Sequence, residues 1–303
     1  EKIIKLNEDT TIVLAQRRQT SKYAFYFVVQ GANTSQLTEI PDHVVVNDMK
    51  LFNGFVYFCG QKPESDGYRG VIGRVQVDVL SSSSLNNVQW DTIKGTTNLN
   101  KLELYKDASN TYTHIVAIGN NEYSNNKNNI FLHSYEENNW KYEINSIDNK
   151  ENNGIKEYIS DLEVNKNNVV VAGLYDIYDT NNITAKQQYL FIRQYDKNNI
   201  STIAPNIYSY NYTTSCLKAN KLTLKTIDDK NIEISMIMNL KQDTYEFTGI
   251  YDTSIPNILN DITIENKNIG NHTTAYTNKQ LPNIILNQHI GALPVFINHI
   301  HFN

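Results

Sequence analysis

Two acids in this chain stand where repeated geometry could give them chemistry. Asp48 lies in Val46-Asn47-Asp48-Met49, and Asp161 lies in Ile159-Ser160-Asp161-Leu162, at the same place in two copies of one strand pattern. Carboxylates that recur on inner strands of a repeat protein can line an axial channel, where they would bind a cation or a sugar. A pair about 5–10 Å apart could serve as acid and base, or acid and nucleophile, on a glycoside. Glu163 is two residues from Asp161 and shares its face of the strand, which makes a second possible pair. The competing reading is structural. A repeated Asp commonly bonds to backbone of a neighbouring strand or blade, and no other copy supplies an obvious matching third acid.

The remaining candidates are weaker. His299 and His301 are two apart on one face of the last expected strand, with His289 nearby. Same-face histidines can chelate zinc or copper, but a third ligand at standard spacing is missing, so we expect no metal and no cofactor. Tyr68-Arg69 and the segment Tyr175 to Tyr178 could form a binding rim, because aromatic and Arg side chains are favoured in hot spots. Ser81 to Ser84 reads as a flexible loop. The chain contains no GxSxG, Walker loop, HExxH or GxGxxG. Gly70-x-x-Gly73 falls in a strand and is no phosphate cradle. Cys59, in an inner strand, reads as a buried inert thiol, and its distance in the repeat from Cys216 argues against a disulfide.

The elements that must hold these residues are clearest from His43 to Leu80. Val44 to Leu51 is β-branched and apolar, and Asn53-Gly54 favours a type I′ turn because both residues tolerate φ > 0. Phe55 to Gly60 is nearly continuous in apolar residues, as expected of a strand covered on both faces. Gln61 to Arg69 is polar and contains Pro63 and Gly67, which predicts a loop. Val71, Gly73, Val75 and Val77 then alternate with Ile72, Arg74, Gln76 and Asp78, and a period of two places Arg74, Gln76 and Asp78 opposite the buried face. Val88 to Ile93 is a more polar outer strand.

Weaker copies recur. Ala15, Gly60, Gly119, Gly173 and roughly Asn239 mark equivalent places, spaced 45, 59, 54 and about 66 residues apart. In the third copy Asn120 to Asn128 reads as a loop; in the fourth, Ile200 to Ala204 reads as the outer strand. The sixth is incomplete, with Thr274 to Thr277, Ile284 to Leu286 and Val295 to Phe302 recognisable. Repeats of this length with four strands each predict an all-β fold, a β-propeller of about six four-stranded antiparallel blades. The expected blades are 1–42, 43–97, 98–150, 151–206, 207–265 and 266–303. The rival is a pair of β-sandwich domains split near Asn145 to Asn153.

The 303 residues can bury a large core, and a net charge of −5 presents no basic surface for nucleic acid. No run of about 18 apolar residues predicts a membrane span. The sequence starts at Glu1, which fits an export signal removed beforehand. We expect an exported monomer, periplasmic, surface-bound or secreted.

VVVNDMKLFNGFVYFCG, with RGVIGRVQVDV and the ISDLEV…VVVAG copy, resembles uncharacterised exported β-propeller-like proteins of gut bacteria. In these an Asp-Met or Asp-Leu pair precedes a "VYFCG"-type strand and a "GxIGR" strand. The resemblance is strong over His43 to Leu80, fair over Tyr158 to Tyr195 and weak elsewhere. It implies the propeller fold and carries no catalytic motif. The expected function is therefore a non-enzymatic binding or interaction scaffold for a protein or carbohydrate ligand. Asp48, Asp161, Glu163, Tyr68 and Arg69 are the candidate ligand contacts, and a carbohydrate-active hydrolase using axial carboxylates is the alternative.

Overall fold

The computed structural model describes residues 2–5, 8, 10–16, 23–29, 37–40, 43–77, 89–93, 96–106, 113–121, 124–136, 139–145, 155–178, 185–197, 206–212, 217–240, 243–255 and 259–266. Among them every regular element is a β-strand, and the strands form five four-stranded sheets. Sheet A holds β1 (Lys2–Lys5), β2 (Thr10–Gln16), β3 (Tyr23–Val29) and β4 (Leu37–Glu39). Sheet B holds β5 (Val45–Phe52), β6 (Phe55–Glu64), β7 (Gly67–Gln76) and β8 (Gln89–Ile93). Sheet C holds β9 (Thr96–Lys106), β10 (Thr113–Asn121), β11 (Ser124–Glu136) and β12 (Asn139–Asn145). Sheet D holds β13 (Ile155–Val164), β14 (Asn168–Tyr178), β15 (Ala185–Asp196) and β16 (Asn206–Tyr212). Sheet E holds β17 (Leu217–Thr226), β18 (Asn231–Leu240), β19 (Asp243–Asp252) and β20 (Leu259–Asn266). In each sheet consecutive strands are antiparallel neighbours. The expected sixth copy, with His289, His299 and His301, lies outside the described residues, as does Cys216. No helix among the described residues is long and apolar enough to cross a membrane.

The chain divides into two compact units, Glu1–Ile147 with sheets A, B and C, and Asp148–Asn303 with sheets D and E. In the first unit sheet B is covered on both faces. Val56 and Phe58 of β6, with Val71 and Val75 of β7, pack with Ile12 and Leu14 of sheet A. Tyr57 and Cys59 of β6, with Ile72 of β7, pack with Leu99, Leu102, Ile115 and Ala117 of sheet C. The alternation of side chains along β6 therefore feeds two cores at once. In the second unit Val170, Ala172, Leu190 and Ile192 of sheet D pack with Leu222, Ile234, Met236 and Phe247 of sheet E.

Local geometry follows from residue type at three kinds of place. Asn53 and Gly54 have φ of 49° and 74°, the left-handed pair that a type I′ turn requires. Gly73 gives up its side-chain volume to Phe58: a Cβ there would lie 2.1 Å from the ring's Cζ. The first strands of four sheets each carry an extra residue opposite the second strand at an equivalent place, and β9 carries a further one at Thr97. The equivalent β-bulges fall at Asn47, Asn100, Ser160 and Asn220. Gly60 and Gly119 stand across from two of them, where a Cβ would meet Val45 O at 1.8 Å or Asn98 O at 2.1 Å. The landmark glycines thus mark a close backbone approach beside a bulge. In sheet E the equivalent residue is Met238, opposite Ala219, one residue before the expected landmark.

Several sequence expectations are corrected. Gln61 to Arg69 is not a loop: the ladder runs through Lys62↔Arg69 and Pro63↔Tyr68 to Glu64↔Gly67, closing on Ser65-Asp66. Asn120 and Asn121 likewise continue β10, and Ser124 to Asn128 belong to β11. The outer strand of sheet D is Asn206–Tyr212 and pairs with β15; Ile200 to Ala204 lies outside the described residues. Arg74 does not face solvent but is buried at 6% exposure, with its guanidinium 4.7 Å from the Phe55 ring and Nε donating to Gln89 Oε1 at 2.9 Å.

Candidate functional site

Asp48 and Asp161 occupy one structural position. Each directly follows the bulge of the first strand in its sheet. That strand is a sheet edge, so part of its backbone has no ladder partner in its own sheet. Asp48 Oδ2 accepts from the Leu102 N–H of β9 at 3.2 Å, crossing from sheet B to sheet C. Asp161 Oδ2 accepts from the Leu224 N–H of β17 at 2.6 Å, crossing from sheet D to sheet E, while its Oδ1 accepts from the Leu162 N–H at 2.9 Å. Both acids are buried. A desolvated carboxylate must be hydrogen-bonded, and an edge N–H removed from water needs an acceptor, so each side chain satisfies two requirements.

The neighbours repeat the theme. Lys50 Nζ pairs with Glu103 Oε1 across sheets B and C. Glu163 Oε1 accepts from Thr226 Oγ1 at 3.1 Å across sheets D and E. Asp161 and Glu163 are brought together against β17, as their shared strand face implied, while Asp48 belongs to the other unit.

Tyr68 and Arg69 lie near the tip of the β6–β7 hairpin. The Tyr68 residue is 51% exposed. Arg69 is held inside its own hairpin: Nη2 contacts Asp66 Oδ2 at 2.7 Å, and Nε approaches Glu64 Oε2 at 3.9 Å. Lys62 Nζ rests 4.3 Å from the Trp90 ring centroid on the same sheet. The arm therefore presents an aromatic ring beside a guanidinium that is already ion-paired. Tyr175 and Tyr178 are in β14, a strand where a rim loop was expected.

Sequence reading missed a polar network in the second unit. Asn165 is buried; its Oδ1 accepts from the Asn167 and Asn168 N–H groups and its Nδ2 donates to Thr253 Oγ1 at 3.0 Å. Thr253 Oγ1 donates to Lys230 O, and Tyr251 OH donates to Gln194 Oε1 at 2.7 Å. Gln194 Nε2 in turn donates to Asn168 Oδ1 and Thr253 O. The network ties the β13–β14 and β17–β18 turns to the end of β19. Two turns beside it are organised by ionised carboxylates. Asp228 is held below the ordinary carboxylate range, first by the Asn231 side-chain amide and then by the Lys230 and Asn231 N–H groups. The Ser254 hydroxyl, and then its N–H, lower Asp252. The one signal in the sequence that points toward it is the turn-forming pair Asp228-Asp229.

Cys59 is a buried thiol outside any disulfide, with Sγ 3.7 Å from Leu99 O. Among the described residues no group of three or more His, Cys, Asp or Glu side chains could hold a metal ion.

No protein-family model matches the chain, and no curated protein matches it. Among solved structures it is similar to a hypothetical selenium-binding protein of Sulfolobus tokodaii, at 11% identity and a TM-score of 0.49, over 89% of this chain and 64% of that one. The chain thus spans less than two thirds of that protein's length. It is similar to an ulvan lyase of a polysaccharide lyase family, at 8% identity and a TM-score of 0.40, over 88% of each chain. A third likeness is to a Bombyx mori β-fructofuranosidase, at 9% identity and a TM-score of 0.38, over 90% of this chain and 61% of that one. None of these likenesses transfers an activity.

Proposed function

We propose that this chain is a non-enzymatic binding or interaction scaffold, exported, built as a β-propeller of about six blades that holds a protein or carbohydrate ligand at one end of its axis. In that reading each four-stranded sheet is a blade, and 266–303 is the sixth. Export rests on the resemblance of the His43 to Leu80 stretch to exported propeller-like proteins.

The observation that carries the reading is the use made of the repeated acids. A catalytic carboxylate must meet substrate, and its proton affinity must suit proton transfer or nucleophilic attack. Asp48 and Asp161 are buried and accept from backbone N–H groups of the neighbouring sheet. This favours a framework role for both, and favours ligand contacts at exposed groups such as Tyr68.

The test is a broad screen of the purified chain for glycan and ester hydrolysis, run beside Asp48→Asn and Asp161→Asn. The expected result is no turnover in the wild type and lowered melting temperatures in both variants. Hydrolysis by the wild type that either variant abolishes, with the fold intact, would establish the carbohydrate-active hydrolase instead.

A further inference from the structure

The four bulges pose a question that the acids do not answer. The bulge is followed by Asp in sheets B and D but by Lys101 and Lys221 in sheets C and E. A glycine stands opposite in sheets B, C and D but Met238 in sheet E. The feature common to all four is the inserted residue, and it is always an uncharged hydrogen-bonding one: Asn47, Asn100, Ser160 and Asn220. Bulges re-aim side chains and cluster near functional sites. Asn100 and Ser160 are exposed.

In the first unit the inserted residues belong to a row whose polarity can be deduced. Asn47 faces the Leu99 carbonyl at 2.8 Å, and a carbonyl oxygen only accepts, so the facing atom is Nδ2. The same Nδ2 faces Asn98, whose contacting atom must then be Oδ1. That leaves Asn98 Nδ2 to donate to Asn100 Oδ1 at 2.7 Å. The last amide in the row therefore turns its Nδ2 outward, and among the described residues no acceptor is bonded to it. Donors aligned head to tail polarise one another, which strengthens the terminal N–H groups.

The surroundings set the chemistry of an acceptor. On the stretches of β5 and β9 beside the row, Asp48 and Glu103 are balanced by Lys50 and Lys101, with Lys106 at the far end of β9, and Lys50 and Glu103 are paired. Among the described residues beside the row, charge therefore selects neither an anion nor a cation. We infer that the Asn47–Asn98–Asn100 row is a subsite for a neutral, hydroxyl-rich ligand, a carbohydrate, with Asn100 Nδ2 donating to a sugar oxygen. This rests on the chain being a non-catalytic binder and names its ligand class.

The test is calorimetric titration of the full chain with a panel of neutral hexose oligosaccharides and a sulfated oligosaccharide of matched backbone. A neutral member binds, and Asn100→Ala and Asn100→Asp each weaken it by about tenfold or more with the melting temperature unchanged. Asn47→Ala weakens it less, because it removes the polarising donor and leaves the contact. Asn100→Ala binding like the wild type, or preference for the sulfated ligand, overturns the subsite. Wild-type failure to bind any neutral member also overturns it, and leaves the non-catalytic reading to its own turnover screen. An oligosaccharide that is bound and cleaved reverses the pattern: the scaffold reading fails, while the subsite stands if Asn100→Ala still loses the binding.

Discussion

Strands β6 and β18 hold the same place, second of four antiparallel strands, yet their sequences follow different rules. From Val56 to Gly60 every residue of β6 is buried. In β18 only alternate residues are: Ile232, Ile234 and Met236 are buried, whereas Glu233, Ser235 and Ile237 are half-buried. The difference is not intrinsic to the strand. Sheet B is covered by sheet A on one face and sheet C on the other, and the described packing of sheet E is with sheet D on one face. Hydrophobic period thus reports how many faces of a sheet are covered, while the sheet's topology stays constant.

The contrast is sharpest at the bulges, and the largest predicted effect tests it there. Gly60→Ala drives a Cβ to 1.8 Å from the Val45 carbonyl oxygen, which is backbone and cannot rotate away. We expect a loss of about 3 kcal/mol or more in urea unfolding, with Gly119→Ala close behind. Sheet E carries Met238 at this register, so the prohibition belongs to sheets B and C and not to bulges as such. An unchanged stability for Gly60→Ala would mean that the two bulges are alike after all.

Next comes the acid that sheet E needs from sheet D. Asp161→Ala strips a buried acceptor from the Leu224 and Leu162 N–H groups and should cost about 2 kcal/mol. Asp161→Asn, which keeps one amide oxygen, should cost less. Hydrogen exchange at the Leu224 amide would accelerate in both variants more than exchange at Ile234, and equal acceleration would point to general loosening.

A reciprocal pair of isosteric changes then measures the two kinds of face. Val56→Thr places a hydroxyl in the covered strand, with Val56 at 0% exposure, and should cost about 1–3 kcal/mol. Thr223→Val, across from Ser235 on the half-covered face of sheet E, should stay within about 0.5 kcal/mol. Equal penalties would show that the outer face of sheet E is as tightly packed as the core.

What could be read in the sequence follows the same division. The unbroken FVYFC run disclosed a doubly covered strand, and Asn53-Gly54 disclosed its turn, because both depend on local chemistry. The β6–β7 hairpin was misread because Pro63 and Gly67 look like breakers. A proline is tolerated where its missing N–H would point off the ladder, and Pro63↔Tyr68 is compatible with such a pair. Arg74 was misplaced because polarity was taken for exposure, whereas Phe55 and Gln89 give its guanidinium a partner within the sheet. Recurrence of Asp48 and Asp161 was legible, but the direction of their side chains depends on an inserted residue that leaves no mark on composition. The amide row was hidden for a simpler reason: in a chain so rich in Asn, no single Asn stands out.

The smallest effect separates the turns of the two sheets by pH. The β5–β6 turn is closed by backbone conformation, with the Val77 N–H donating to Gly54 O beside it. The β17–β18 turn depends on ionised Asp228, which accepts from the Lys230 and Asn231 N–H groups. Because the folded protein holds Asp228 below the ordinary aspartate value of 3.8, the ionised form's contribution is fully present above that value. It is lost as pH falls through the lower, folded value. Exchange protection of the Lys230 and Asn231 amides, corrected for intrinsic rates, should therefore decline between about pH 5 and pH 2, while that of Val77 holds. Asp228→Asn should abolish the pH dependence and leave weaker protection throughout. A parallel decline at Val77 would instead assign the acid response to the fold as a whole, and the distinction between a turn set by dihedral angles and one set by charge would disappear.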